Sequence, residues 1–464
     1  VSAPDRTGLE DAPMRLDAST GNRYRAIGAR QVVSLPQWQK LTPEVREGVE
    51  VVSSVLPFRT NRYVLDLVDW ERVPADPIFQ LTFPQIGMLA PADHARIAGL
   101  LAGGAGAAEL RAAANEVRRR LNPHPAGQLT DNVPRLDGRP LPGLQHKYRE
   151  TVLYFPAQGQ TCHAYCTYCF RWAQFVGMPG LKFEARTPDD LLAYLRRHPE
   201  VTDILVTGGD PMIMATSMLE KHLAPLLEPA LGRVQSIRIG TKALAYWPAR
   251  FVSDPDADDL LRLFERAVAA GRHVALMAHF SHPRELDTEI VQEAIRRVRS
   301  TGAEIRMQAP LVRRVNDEAG TWARLWRHGV RLGLIPYYMF VERDTGPRNY
   351  FEVPLARAYQ IFREAYQQVS GLARTVRGPS MSAHPGKVRL LGVQRVGDEK
   401  VFLLDLLQAR NPLWVKRPFF ARFDPRATWY DQLRPAFGED HFFFEGVRER
   451  PPHEREALRL PVAV

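Results

Sequence analysis

Cysteine is scarce: there are three in 464 residues, and none lies beyond Cys169. So few, crowded so closely, exclude a disulfide framework. No run of about 18 apolar residues is present, so no membrane-spanning helix is expected. The first thirty residues are polar and charged and lack the apolar core of a signal peptide. A cytoplasmic location is therefore expected, in a reducing compartment that suits unpaired thiols. Internal repeats and low-complexity tracts are also missing. Acidic residues are outnumbered, leaving a formal net charge of +10, which favours anionic partners. The basic residues are dispersed along helices, as from Glu116 to Leu121, and read as solvated faces rather than a nucleic-acid surface.

What chemistry there is sits in one stretch, Cys162-His163-Ala164-Tyr165-Cys166-Thr167-Tyr168-Cys169. Three thiolates can hold three irons of a 4Fe–4S cluster, whereas an electron-transfer cluster normally takes four cysteines. The fourth iron is then open to another ligand. A structural zinc site that also uses His163 is one alternative, although paired zinc knuckles usually lie far apart in sequence. Scattered core cysteines are the other, and their crowding argues against it. The stretch closely resembles the cysteine motif of radical S-adenosylmethionine (SAM) enzymes. That resemblance implies a 4Fe–4S cluster whose open iron chelates the amino and carboxylate groups of SAM. One electron, from a donor such as flavodoxin or ferredoxin, then releases a 5′-deoxyadenosyl radical that abstracts hydrogen from the substrate.

The length exceeds the usual single-domain size. Residues 1–150 read as an N-terminal helical region and connector. Thr42-Pro43-Glu44 places a cap before proline at the first helical position, and further helices are expected over 91–103 and 107–121. Residues 122–145 are rich in Pro, Gly, Asn and Asp and read as extended. From 151 to 350, apolar runs at 151–155, 203–207, 234–239, 273–278, 304–308 and 332–340 alternate with amphipathic helices. The helices fall at 187–198, 216–228, 256–270, 286–300 and 318–329, with Gly271 and Gly302 where C-terminal caps belong. This alternation predicts an α/β fold, a partial (β/α)6 radical-SAM barrel, with functional residues where strands end. Residues 351–464 form a C-terminal region whose aromatic, basic tail is expected to pack or to meet another subunit in a homo-oligomer.

The second strand ends in Thr207-Gly208-Gly209-Asp210-Pro211, where glycine permits close approach to a ligand. Ala278-His279-Phe280-Ser281-His282-Pro283-Arg284-Glu285 and Gln308-Ala309-Pro310-Leu311-Val312-Arg313-Arg314-Val315-Asn316-Asp317 follow later strands, and Pro336-Tyr337-Tyr338 lies on the sixth. Together with Leu141 to Tyr148, these residues resemble the lysine 2,3-aminomutase family from about 21 to 400. The resemblance implies a 1,2-shift of an amino group on an amino acid, using SAM and pyridoxal 5′-phosphate (PLP). By position, Gly208, Gly209 and Asp210 match the motif that contacts the SAM amino group. His279 and Gln308 match polar residues lining the SAM and PLP sites. Lys147 and Tyr148 match a family Arg-Tyr pair near PLP. Arg171 matches the arginine that grips the substrate α-carboxylate, a task suited to a bidentate guanidinium.

Departures from the family matter as much. Thr151 replaces a family arginine. Lys387 is the candidate PLP anchor, although it sits about three residues late, and a second alignment puts Met381 there instead. In lysine-specific relatives two aspartates hold the distal ammonium. Here Arg343 and Arg377 fall at those positions, which would repel an ammonium and clasp an anion. The alternative is that Asp344 takes the first role and Arg377 turns outward.

Three functions remain open on these residues. The first is a PLP-dependent aminomutase acting on a small amino-acid-like substrate, not lysine and with acidic ones first in line. The second is a PLP-independent radical SAM dehydrogenase, epimerase or lyase. The third is a family member that modifies protein or RNA. All three need the cluster. About four irons per chain are expected, and Cys166→Ala should abolish both the visible absorbance and 5′-deoxyadenosine formation. Full SAM cleavage by that variant would sink the cluster assignment.

Overall fold

The computed structural model describes residues 24–178 and 180–445. Its frame is one sheet of eleven strands: β1 (Leu144–Tyr148), β2 (Thr151–Tyr154), β3 (Asp203–Val206), β4 (Ser236–Thr241), β5 (His273–His279), β6 (Glu304–Leu311), β7 (Ile335–Val341), β8 (Arg377–Ser382), β9 (Gly386–Val396), β10 (Glu399–Ala409) and β11 (Phe419–Arg422). They lie across the sheet in chain order. From β2 to β8 all pairings are parallel. β1 adds antiparallel at one edge, and β9 to β11 add antiparallel at the other.

Parallel neighbours need a crossover, and amphipathic helices supply them. Three earlier helices, α1 (Pro43–Ser53), α2 (Pro91–Ala102) and α3 (Ala107–Arg120), belong to the N-terminal region. The crossovers are α4 (Asp189–Arg197), α5 (Thr216–Leu223), α6 (Ala257–Ala269), α7 (Glu289–Ser300), α8 (Ala319–Arg331) and α9 (Leu355–Gln367). The apolar stripe of α6 buries Leu260, Leu263, Phe264 and Ala267. Gly271 and Gly302 take positive φ just past α6 and α7, as expected of caps. Thr42 caps α1 through Val45 N–H.

The parallel run is one strand longer than the sequence suggested. β8 reads Arg-Gly-Pro-Ser-Met-Ser, which lacks the β-branched and aromatic residues that announce a strand. It forms because its neighbours impose it: Gly378 packs so tightly on β7 that a Cβ there would lie 2.4 Å from the Met339 carbonyl oxygen.

Two cores hold the molecule. The larger runs from the N-terminal helices through the barrel without interruption. The smaller lies behind β9 to β11 and takes in Trp414, Phe419, Trp429, Phe442 and Phe444, so much of the aromatic tail is internal packing. The β9–β10 hairpin also turns back toward the start of the sheet. Arg410 donates to Asn132 Oδ1 at 2.6 Å, and the Lys147 ammonium meets the Ala383 carbonyl. The sheet thus curls until its far side reaches the chain leading into β1. Among the described residues no helix is long and apolar enough to cross a membrane.

Candidate active site

The cysteine loop follows β2 and is held from outside the barrel. Tyr165 N–H and Thr167 N–H donate to the carbonyls of Arg59 and Leu81, both at 2.9 Å. Arg59 Nη1 donates to Thr161 Oγ1 at 2.7 Å and to the Cys162 carbonyl at 2.8 Å. The buried Asn61 amide reaches the carbonyls of His163 and Tyr246. The N-terminal region is therefore part of the site's support.

From inside, the loop is pinned by the Gly208-Gly209-Asp210 turn after β3. Asp210 N–H donates to Thr161 O at 2.7 Å. A Cβ on Gly209 would lie 2.2 Å from that carbonyl oxygen, and one on Gly208, at φ +147°, would strike Gln160. These glycines permit close approach of the cysteine loop itself, a requirement not visible in the motif. The Asp210 carboxylate accepts from His163 Nε2 at 3.0 Å, Thr241 Oγ1 at 2.7 Å, Lys242 N–H at 2.8 Å and Met212 N–H at 3.0 Å. Burial alone would raise its pKa, but His163 and these donors outweigh burial and hold it below the usual range. Its carboxylate ties strand ends and cysteine loop together.

A cavity of about 330 Å³ opens above these strand ends. It is lined by Cys162, Cys166, Cys169, Gly208, Gly209, Asp210, His279, Gln308, Lys147, Tyr148, Arg171, Arg343 and Lys387. The cysteines are free. Burial raises all three thiols, Cys166 to about 11 and Cys169 to about 12; bonding to iron would remove the cost of ionising them. Cys162, Cys166 and Cys169 line this one cavity together, and three thiolates are a donor set that a 4Fe–4S cluster with one open iron takes.

His279 is pushed down to about 4 by burial, with Lys242 adding repulsion. It is therefore neutral at physiological pH, and its Nε2 lies 3.1 Å from Gln308 Nε2. Arg171 lies over the rings of Phe155 and Phe170 at 4.4 and 4.9 Å. Its Nη1 is buried without a hydrogen-bond partner, as is Nε of Arg343. Arg343 shares the Phe170 ring at 5.4 Å. Lys387, on β9, donates to Gln408 Oε1 at 3.2 Å and sits 4.1 Å from the centre of the Tyr338 ring. Burial lowers its pKa to about 8. Met381, the rival in the alignment, is wholly buried in the second core.

Arg377 is placed differently. It stands at the beginning of β8, away from the strand ends, and does not line the cavity. Its guanidinium lies over Tyr337 at 4.5 Å and reaches Tyr338 Oη at 3.4 Å. The Tyr338 ring that Arg377 covers at 5.2 Å is also the one beside Lys387. Asp344 does not line the cavity either; it lies 3.8 Å from Arg343 and accepts from Asn122. Sequence reasoning missed Arg59, Lys242 and Gln408. Lys242 alone carried a signal, since it directly follows a barrel strand, where functional residues collect.

Comparison with known proteins follows the same line. No protein-family model matches the chain. An Aquifex aeolicus protein named "Putative L-lysine 2,3-aminomutase" is 31% identical over 418 residues, covering 90% of this chain and 98% of that protein. The L-lysine 2,3-aminomutases of Acetoanaerobium sticklandii and Clostridium subterminale are each 26% identical over 340 residues, covering 73% of this chain and 70% of theirs. Among solved structures, a radical SAM methyltransferase from Sphaerobacter thermophilus shares 19% identity over 50% of this chain and 68% of its own, at a TM-score of 0.33, too slight a likeness to argue from.

The packing of Gly209 can be tested directly. Gly209→Ala should push Thr161 away and unseat Cys162, so iron per chain should fall well below wild type while circular dichroism is retained. A full iron complement in that variant would show that the close approach is dispensable.

Proposed function

Since the chain belongs to the lysine 2,3-aminomutase family of radical SAM enzymes, we propose that it moves an amino group between adjacent carbons of an amino acid whose distal end is anionic, with PLP anchored on Lys387. One observation carries this reading: a single cavity joins three free cysteines to a buried arginine, Arg171, a half-buried one, Arg343, and a half-buried lysine of lowered pKa. When bound, the cluster and SAM supply a primary carbon radical, and PLP supplies a conjugated acceptor for the migrating nitrogen.

The chain's own residues do the rest. Cys162, Cys166 and Cys169 hold three irons, and the Gly208–Asp210 turn and His279 border the SAM side. Lys387 is suited to bonding PLP because its amine is half neutral near pH 8 rather than near 10.5. Lys147 and Tyr148 line the wall beside it. Arg171 grips the α-carboxylate through donors that have no partner within the chain. Arg343 receives the distal group. The partly buried setting, of lower dielectric than water, strengthens each of these charge contacts.

Borohydride reduction of the PLP-supplemented protein should fix the cofactor to Lys387, as read by peptide mass spectrometry. Labelling should decline as pH falls through about 8, because protonation removes the nucleophilic amine. Turnover by protein that never captures PLP would favour the PLP-independent route.

Substrate charge is tested by competition of glutamate and lysine for the SAM-loaded enzyme. Wild type should prefer the acidic ligand, and Arg343→Asp should weaken it by roughly ten- to a hundredfold, a charge-assisted contact being worth about 1.5–3 kcal/mol. Tight productive binding of lysine by wild type would refute the anionic-end assignment, as would acidic ligands indifferent to the substitution.

A further inference from the structure

Beside the cysteine loop lies a buried ion pair to which the proposed function assigns no role. Lys242 follows β4, and Glu285 lies in the turn after β5. Nζ of Lys242 donates to Glu285 Oε1 at 2.8 Å, to Ser281 Oγ at 3.3 Å and to the His279 carbonyl at 3.3 Å. Its three donors are spent, so this ammonium is not free to grip a ligand. The side chains are 9% and 0% exposed. Glu285 also accepts from Ser281 N–H at 2.5 Å and His282 N–H at 3.2 Å. Both charges are fixed in place.

The pair is also oriented. Lys242 lines the cavity together with the cysteines, whereas Glu285 lies behind it. The link to the cysteine loop is short: Ser281 Oγ, bonded to Lys242, lies 2.9 Å from Tyr168 Oη, and Tyr168 sits between Cys166 and Cys169. The backbone N–H of Lys242 is held by Asp210, whose other oxygen contacts include His163 in the same loop. Replacing such a pair with apolar residues often costs no stability, so its retention at this place asks for another reason.

We propose that the Lys242–Glu285 pair is an electrostatic setting for the cluster, its positive end turned toward the iron site so that an added electron is stabilised there. The proposal rests on the cluster assignment above and on neither PLP nor substrate. A positive charge near a buried cluster makes reduction easier, and a negative one makes it harder; burial enlarges both effects because the intervening medium screens poorly. The electron comes from a one-electron donor protein and the cluster gains it, with no proton needed at either member of the pair. Lys242 and Glu285 are positioning residues in this scheme.

The test is a potentiometric titration of reconstituted, SAM-loaded protein without PLP or substrate, followed by electron paramagnetic resonance, with iron counted per chain. Lys242→Gln should shift the midpoint to more negative potential, Glu285→Gln to more positive potential, and Lys242→Arg should stay near wild type. Shifts of opposite sign with iron retained would support the proposal. Unchanged midpoints, or shifts of the same sign, would overturn it. Should Lys242→Gln lose its iron, Glu285→Gln decides, since only an electrostatic role predicts a positive shift there. A wild-type protein that holds no cluster would instead remove the premise.

Discussion

The Asp210 carboxylate is the contact on which the site's geometry depends. It is 2% exposed, and burying an ionised carboxylate without partners would cost several kcal/mol. The fold meets that cost with donors from three places: His163 of the cysteine loop, Thr241 and Lys242 at the end of β4, and Met212 in its own turn. The arrangement works only if the two strand ends and the loop arrive together. It requires the glycines beside it, because a side chain at Gly209 would push Thr161 out of reach. Thus one charged group, two absent side chains and the loop holding the cysteines form a single unit of packing.

That unit explains why this part of the molecule was legible in the sequence. Cysteine spacing and the Gly-Gly-Asp turn are local patterns, and the barrel's order of strands follows from alternation and from the parallel pairing that helical crossovers permit. What escaped was non-local. Arg59 lies a hundred residues from the loop it braces, and nothing in Phe-Arg-Thr-Asn marks it. β8 was hidden because its residues have no strand preference and are held by neighbours. That Arg377 stands where β8 begins, and not at the end of that strand, was also beyond an alignment, because the strand itself was not foreseen.

The C-terminal hairpin illustrates how far topology can carry a residue. Read in order, residues after the sixth strand looked like an appendage. In space, β9 and β10 extend the sheet, and their far side meets the chain before β1 through Arg410 and Asn132. Lys387 therefore enters the cavity from a strand that is antiparallel to the barrel, paired with Ser382 and Gln408. An offset of a few residues from the family's lysine is tolerable in this setting, because a long side chain on a strand can reach the same space from a different backbone position. The second aromatic core behind the hairpin holds that strand in register.

Charge within the cavity favours an anion by the same bookkeeping of burial and partners. Arg171 is buried and Arg343 half-buried, they share the Phe170 ring, and each leaves a buried nitrogen without a hydrogen bond. Burial lowers the pKa of both, Arg171 to about 10, which still leaves them charged at neutral pH. Glu342 lines the same cavity and could in principle balance Arg343. Its own burial, however, raises its pKa well above the usual carboxylate value, and Arg343 only partly offsets this, so burial disfavours its charged form. Asp344 remains 3.8 Å from Arg343 and outside the cavity. The chain thus sets two cations side by side over one ring. Leaving a buried donor without a hydrogen bond is costly, and the two cations repel. A ligand carrying carboxylates at both ends would satisfy both guanidinium groups and relieve that repulsion. Free lysine would satisfy Arg171 and bring its ammonium against Arg343.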